Sequence, residues 1–327
     1  MNNTTESFAV GTENDVQSRK LRVTRTFILI TLALTTYFGN TLILVSLKKF
    51  SKYLKGTPFI LMGNLAVADL LLAVGLSLEV LGTIFLSLEI NTFFCVVKVI
   101  VTGVSLGTSG KLLIFISFDR FCAIMFPMKH LTHSQKSRCR RIHIAIVWII
   151  SVLVVLIPAF VNLRSSKVLE DCNFGRKIPA GMGMCASVFI LLQFAINIIM
   201  CLIVMRKLKT NTLSRQKCKK SMIKCGHLIK GYVLFVICWM PFVVTSILVT
   251  FSEEKERYAS VREYTIAPGL FNSAMNWVIY GCANIKLRTA FKSILLCRNG
   301  QELFSVGHFR AASSEKYSIQ NDQKSKL

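Results

Sequence analysis

Long apolar stretches alternate with short polar, mostly basic segments along the chain. Uncharged runs occupy Thr26–Leu47, Ile144–Leu163, Ile178–Met205, Gly231–Ser252 and Tyr264–Ile285. Two more, Gly56–Phe85 and Thr92–Phe118, are interrupted only by Asp69 and Glu79 in the first and by Lys98 and Lys111 in the second. A helix needs roughly 20 apolar residues to cross the hydrocarbon core of a bilayer, so the pattern predicts seven spans and an all-α membrane protein. Short loops and two modest tails remain, with no room for a separate soluble domain. The expected organisation is an N-terminal tail over 1–25, a seven-helix domain over 26–285, an amphipathic helix over 286–297 and a polar, Ser-rich, disordered cytoplasmic tail over 298–327.

Composition agrees. The chain is 53% hydrophobic and only 17% charged, with a net charge of +24, where a soluble domain carries about 25% charged residues. So basic a chain suggests a nucleic-acid partner, but its apolar residues lie in long runs and not in one compact core. With the N-terminus outside, the extracellular segments hold 11 Lys/Arg against 10 Asp/Glu and the cytoplasmic ones 27 against 4. The opposite orientation would put the basic excess on the wrong face. The charge therefore reads as topology and attraction to anionic lipid, not nucleic acid. The same orientation exposes the Asn-X-Thr sequons at Asn2 and Asn3 to glycosylation. The first 18 residues lack an apolar core, so no secretory signal is read there and the first span is expected to direct insertion. Eleven cysteines show no CxxC pair or metal-ligand spacing. Cys95 and Cys172 fall in extracellular positions, where disulfides persist, and Cys297 follows the amphipathic stretch, a palmitoylation candidate.

Ionisable groups within spans are costly, and each is a functional hypothesis. Asp69 reads either as a carboxyl kept neutral by burial or as the centre of a small-cation site. Ser109, Asn272, Ser273 and Asn276 are the candidate co-ligands. Asn272 and Asn276 are one helical turn apart, and a hard cation such as Na⁺ suits all-oxygen coordination. Glu79 and Lys98, near the outer ends of adjacent spans, either pair with each other or meet a polar ligand. Lys111 lies nine residues before Arg120, roughly 13 Å along a helix, and no account of it follows from sequence. Asp119 and Arg120 end the third span as a local charge pair.

One motif points elsewhere. Gly103-Val-Ser105-Leu-Gly107 matches the nucleophile elbow GxSxG, which needs a strand-to-helix turn and a nearby His. Here it lies inside a helical run, and the same glycines suit small-residue helix packing. No P-loop, dinucleotide fingerprint or HExxH occurs, so no enzymatic activity is expected and no cofactor is required. No internal repeat of the transporter kind is present.

One ordered set of motifs runs through the spans: Gly39-Asn40 in the first, Asn64-Leu-Ala-Val-Ala-Asp69 in the second, Asp119-Arg120-Phe121 in the third, Trp148 in the fourth, Cys238-Trp239-Met240-Pro241 in the sixth and Asn276-Trp-Val-Ile-Tyr280 in the seventh. From about Thr26 to Cys297 this set resembles the rhodopsin-like (class A) G-protein-coupled receptors. The third-span motif is similar to their DRY, the sixth to CWxP and the seventh to NPxxY. The resemblance implies a Cys95–Cys172 disulfide and a sodium pocket of Asp69, Ser109, Asn272 and Asn276. It implies that Arg120 and Tyr280 exchange partners on activation, that Trp239 senses ligand and that Pro241 kinks its helix. Its partners would be an extracellular ligand, a heterotrimeric G protein, arrestin, receptor kinases and the lipid bilayer of the plasma membrane.

Departures narrow the ligand. Thr102 stands where amine receptors use Asp, and Leu270 where opsins place their retinal-linked Lys, which disfavours a monoamine and retinal. Leu106, Phe242, Ser246 and Ile266, with Gly103 and Val243, make the remaining expected pocket mostly small or apolar, with Glu79 and Lys98 at its rim. A peptide or a small polar molecule fits. Trp277 replaces the Pro of NPxxY, which leaves a non-signalling decoy as an alternative. Asn197 stands where the fifth span lacks its proline. Ser221 stands where some members hold an acidic partner for Arg120, so few inactive-state restraints and some basal signalling are expected. A transporter is the other alternative.

Overall fold

A computed structural model describes the backbone of residues 2–126, 137–163, 180–210 and 215–297, with side chains for most residues within 19–126, 138–157, 181–207 and 233–297. Among them are nine helices: α1 (Asn2–Lys49), α2 (Thr57–Ile84), α3 (Leu86–Ile90), α4 (Thr92–Met125), α5 (Ser137–Leu163), α6 (Ala180–Thr210), α7 (Arg215–Phe251), α8 (Lys255–Ala283) and α9 (Ile285–Leu295). Seven are long, and α3 is a single-turn connector. The expected tail over 1–25 is not separate from the first span, because α1 runs unbroken from Asn2.

Local signals set the helix starts. Gly56, at φ +110°, turns the chain in a conformation that favours glycine, and Pro58 sits in the first turn of α2. Asn91 Oδ1 accepts from Phe94 N at 3.1 Å to cap α4, and Asn284 Oδ1 accepts from Lys286 N and Leu287 N to cap α9. Asn284 is also where α8 ends, so Ile285 opens the amphipathic helix and does not close the seventh span. Hydroxyls inside the spans bond their own helix: Thr36, Ser77, Ser117, Ser151 and Ser187 each donate to the carbonyl four residues back. That contact satisfies a polar group where no water reaches.

Six helices (α1, α2, α4, α5, α6 and α7) are long and apolar enough to cross a membrane by length and composition. The long α8 falls outside that set. It carries Lys255, Glu256, Arg257, Arg262 and Glu263 in its first half and Asn272, Ser273 and Asn276 in its second. Lys255, Glu256 and Arg257 are exposed, whereas Arg262, Asn272, Ser273 and Asn276 are all buried.

The helices close a ring in the order α1, α2, α4, α6, α7, α8 and back to α1, with α5 outside it against α4 and α2. One core cluster joins α1, α2, α6, α7 and α8 through Leu29, Leu72, Ile190, Phe242 and Leu270. A second packs Leu287, Ala290 and Phe291 of α9 under Leu42, Phe50 and Phe59, burying the apolar face that the sequence predicts. A third joins α2, α4 and α5 through Leu65, Leu112 and Val147. The outer faces of α5 and α6 remain apolar and exposed, as at Ile149, Val154, Leu192 and Ile199, the surface that lipid tails cover.

Candidate ligand pocket and buried polar core

At one end of the bundle four charges meet. Arg25, one residue before the first apolar run, reaches Glu79 Oε1 of α2 at 2.6 Å through Nη2 and Glu263 of α8 through Nη1. Lys98 of α4, fully buried, lies 3.0 Å from the other Glu79 oxygen. The pairing of Glu79 and Lys98 that the spacing left open is therefore present, within a network tying α1, α2, α4 and α8. Two carboxylates and two cations balance each other, which is the condition for burying any of them.

Below this network lies a cavity of about 190 Å³. Of the residues expected to line it, Glu79, Thr102, Ile266 and Leu270 do so. Lys98 stands behind Glu79. Leu106, Trp239 and Phe242 pack in the core cluster beneath, with Ile266 and Leu270. Trp239 meets Phe242 edge-on at 5.8 Å and Phe235 at 6.2 Å. Gly269 leaves room for its indole, since a Cβ there would come within 2.9 Å of the ring. Ser246 is buried apart from the cavity, near Gly183 and Arg262. Arg25, Thr24, Leu76, Glu263 and Tyr264 also line the cavity and were missed. Arg25 and Glu263 sit one residue outside apolar runs and read as loop charges. Their position at the mouths of spans one and seven, on the same side as Glu79, was the available signal.

Deeper in the bundle Asp69 is completely buried. It accepts from Ser109 Oγ at 3.2 Å and from Asn276 Nδ2 at 2.7 Å, and Ser273 is buried on the same helix as Asn276. Asn272 is buried too, yet makes no hydrogen bond to Asp69 among the described residues. One helical turn does not by itself aim both amides at one carboxylate. Asn40 links α1 to this region, donating to Thr36 O at 3.0 Å and Ser273 O at 3.5 Å. Trp148 Nε1 donates to Asn64 Oδ1 at 3.4 Å.

Ser105, the serine of the GxSxG match, is buried in mid-α4 and donates to Thr102 O at 2.8 Å. There is no strand-to-helix turn to present it as a nucleophile.

Comparison with known proteins gives one family. Residues 39–280 match the model of the 7 transmembrane receptor (rhodopsin family). The chain belongs to this family. Rat (Rattus norvegicus) somatostatin receptor type 1 is 26% identical over 318 residues, covering 92% of this chain and 80% of that one. Somatostatin receptor type 4 of the same species is 27% identical, over 80% of this chain and 69% of its own. Melatonin receptor type 1A of Phodopus sungorus is 27% identical over 84% of this chain and 81% of its own. The chain is thus a rhodopsin-family receptor, a multi-pass membrane protein and not an enzyme.

The remaining motif positions of this receptor divide sharply. Asp119 is buried near the end of α4, and Pro241 lies inside α7, where Thr245 Oγ1 donates to its carbonyl at 2.9 Å. Tyr280 is half-buried between the second and third core clusters. Cys95 is disulfide-bonded. Cys172, the side chains of Arg120, Asn2, Asn3 and Ser221, and the tail from 298 lie outside the described residues. Cys297 is exposed at the end of α9. Trp277, where the family pattern has proline, sits in an unbroken α8 whose internal proline is Pro268 instead. Its indole fills the notch at Gly39, where a Cβ would fall 1.9 Å from Trp277 Cδ1, and it meets Phe38 edge-on at 5.6 Å.

Proposed function

We propose that this receptor sits in the plasma membrane with its N-terminus outside, binds a peptide or small polar ligand in the cavity beneath the Arg25 network, and activates a heterotrimeric G protein. The observation that carries the reading is that cavity: its upper wall is charged, its body apolar, and its floor continuous with the packing around Trp239. The somatostatin and melatonin receptor relatives support an extracellular ligand. Thr102 at the cavity wall offers no carboxylate for a monoamine, and Leu270 offers no amine for retinal.

A ligand that fits the cavity better in one arrangement of α7 and α8 shifts the bundle toward that arrangement. Trp239 and Pro241 are the groups through which α7 would respond. At the opposite end Asp119, Arg120 and Tyr280 would open the surface read by the G protein, and by arrestin and receptor kinases. Asp69 with the hydroxyls of Ser109 and Ser273 is a carboxylate-centred oxygen set, which fits Na⁺ as an allosteric ion. Asn276, and Asn272 after a side-chain rotation, would complete it. Glycosylation at Asn2 and Asn3, palmitoylation at Cys297 and a Cys95–Cys172 disulfide belong to the same reading.

The test is G-protein activation in cells at matched surface expression, for wild type, Arg120→Ala and Trp277→Pro. Basal or ligand-evoked signal in the wild type that Arg120→Ala abolishes supports coupling. Trp277 favours a second reading, a receptor that binds but does not signal. It predicts silence in the wild type under a broad peptide and small-molecule screen, with signal gained in Trp277→Pro.

A further inference from the structure

Lys111 is an intramembrane cation to which the receptor's ligand and coupling machinery gives no role. Its Nζ donates to Gly107 O at 3.0 Å and to Ser151 Oγ of α5 at 3.1 Å, and lies 5.8 Å from the centroid of the Phe189 ring of α6. None of these is an anion, and no acidic group pairs with it among the described residues. It stands 16 residues after Cys95 and nine before Arg120, about 24 Å and 13 Å along the helix, well inside the hydrocarbon. Snorkelling does not relieve it. Its amine turns back toward Gly107, away from the nearer membrane surface.

A second, independent observation lies beside it. Gln193 of α6 is 1% exposed, and neither its Oε1 nor its Nε2 has a hydrogen-bond partner. Its Oε1 lies 3.9 Å from where a Cβ at Gly110 would stand, so the amide is aimed at the glycine stretch of α4 that Lys111 follows. Buried amides are ordinarily satisfied, and here an acceptor for the Nε2 protons and an anion for the lysine are both missing around one ring, Phe189, which lies 5.8 Å from Lys111 Nζ and whose Cε1 is 3.6 Å from the same Gly110 position. Both α5 and α6 pack on α4. Their outer faces carry exposed apolar side chains, among them Val154 of α5 and Leu192 of α6.

We propose that this site binds a free fatty acid, its carboxylate held between Lys111 Nζ and Gln193 Nε2 and its chain running out along the apolar faces of α5 and α6. Charge-assisted hydrogen bonds from an ammonium and an amide suit a carboxylate, and an acyl chain suits the apolar faces. A phospholipid head is tied by its glycerol backbone to the membrane surface, whereas a fatty acid carries its head on one slender chain that reaches this depth.

The experiment uses the full chain in phosphatidylcholine nanodiscs with a diazirine analogue of oleic acid. Cross-links are expected on α4, α5 and α6 peptides around Lys111, competed away by oleate but not by oleyl alcohol. Lys111→Met, folded as judged by its elution and melting, is expected to lose labelling there at least about tenfold, and Gln193→Leu several-fold. Equal competition by the alcohol, no labelling at these peptides, unchanged labelling of folded Lys111→Met, or labelling only by a phosphatidylserine analogue would each overturn the proposal. The competition needs only the wild type, so it decides the matter even if the variants do not fold.

Discussion

Two groups of buried charge sit on the same helix, α4, and are treated in opposite ways. Lys98 near its start is sealed from solvent but lies 3.0 Å from Glu79, which also receives Arg25. Lys111, 13 residues further on, is only half-buried and rests on a carbonyl, a hydroxyl and a ring face. The first is a closed circuit of matched charge, in which removing one member leaves the others exposed to the low dielectric. The second is a cation with neutral neighbours, whose removal strands nothing charged. Burial alone therefore does not rank what a charged side chain contributes to this bundle; the sign of its neighbours does.

Glu79→Gln should show the largest effect. It removes the carboxylate shared by Arg25 and Lys98, and a destabilisation of about 3 kcal/mol is expected, read as a lower thermal unfolding midpoint in detergent. Adding Lys98→Met to Glu79→Gln should recover about 1.5 kcal/mol, because the buried cation goes with its partner. A double variant no more stable than the single one would show that Lys98 does not depend on Glu79. Smaller and opposite in sign, Ser151→Asp places a carboxylate on the residue that Lys111 already touches. It should gain about 1 kcal/mol in lipid-stripped detergent, a gain that added oleate should narrow. Smallest of all, Lys111→Met should change stability by about 0.5 kcal/mol or less in that detergent. A cost there equal to that of Glu79→Gln would erase the distinction between the two regions.

What could be read beforehand follows the same physics. A carboxyl in an apolar run is conspicuous, so Asp69 and its neighbours Ser109 and Asn276 were legible, as were the long helices, the amphipathic turn after Asn284 and the enzymatic irrelevance of Ser105. Arg25 and Glu263 were not, because a charge one residue beyond a span looks like any loop charge until a helix end brings it to a partner. Asn272 shows the limit of periodicity: sharing a helix face with Asn276 set its level but not its side-chain direction. Lys111 had no sequence account because its neighbours, Ser151 and Phe189, come from two other helices. The indole of Trp277 read as a lost proline, and only its fit against Gly39 showed what had replaced it.

That fit ties positions 39 and 277 together in one direction only. Any side chain at 39 would collide with the indole, so Trp277 requires glycine there. Glycine does not require Trp277, since Gly39-Asn40 resembles the first-span signature of a family whose seventh span carries proline. The tryptophan thus occupies a space that the first helix already leaves open, and exchanging it for proline empties that space without a clash.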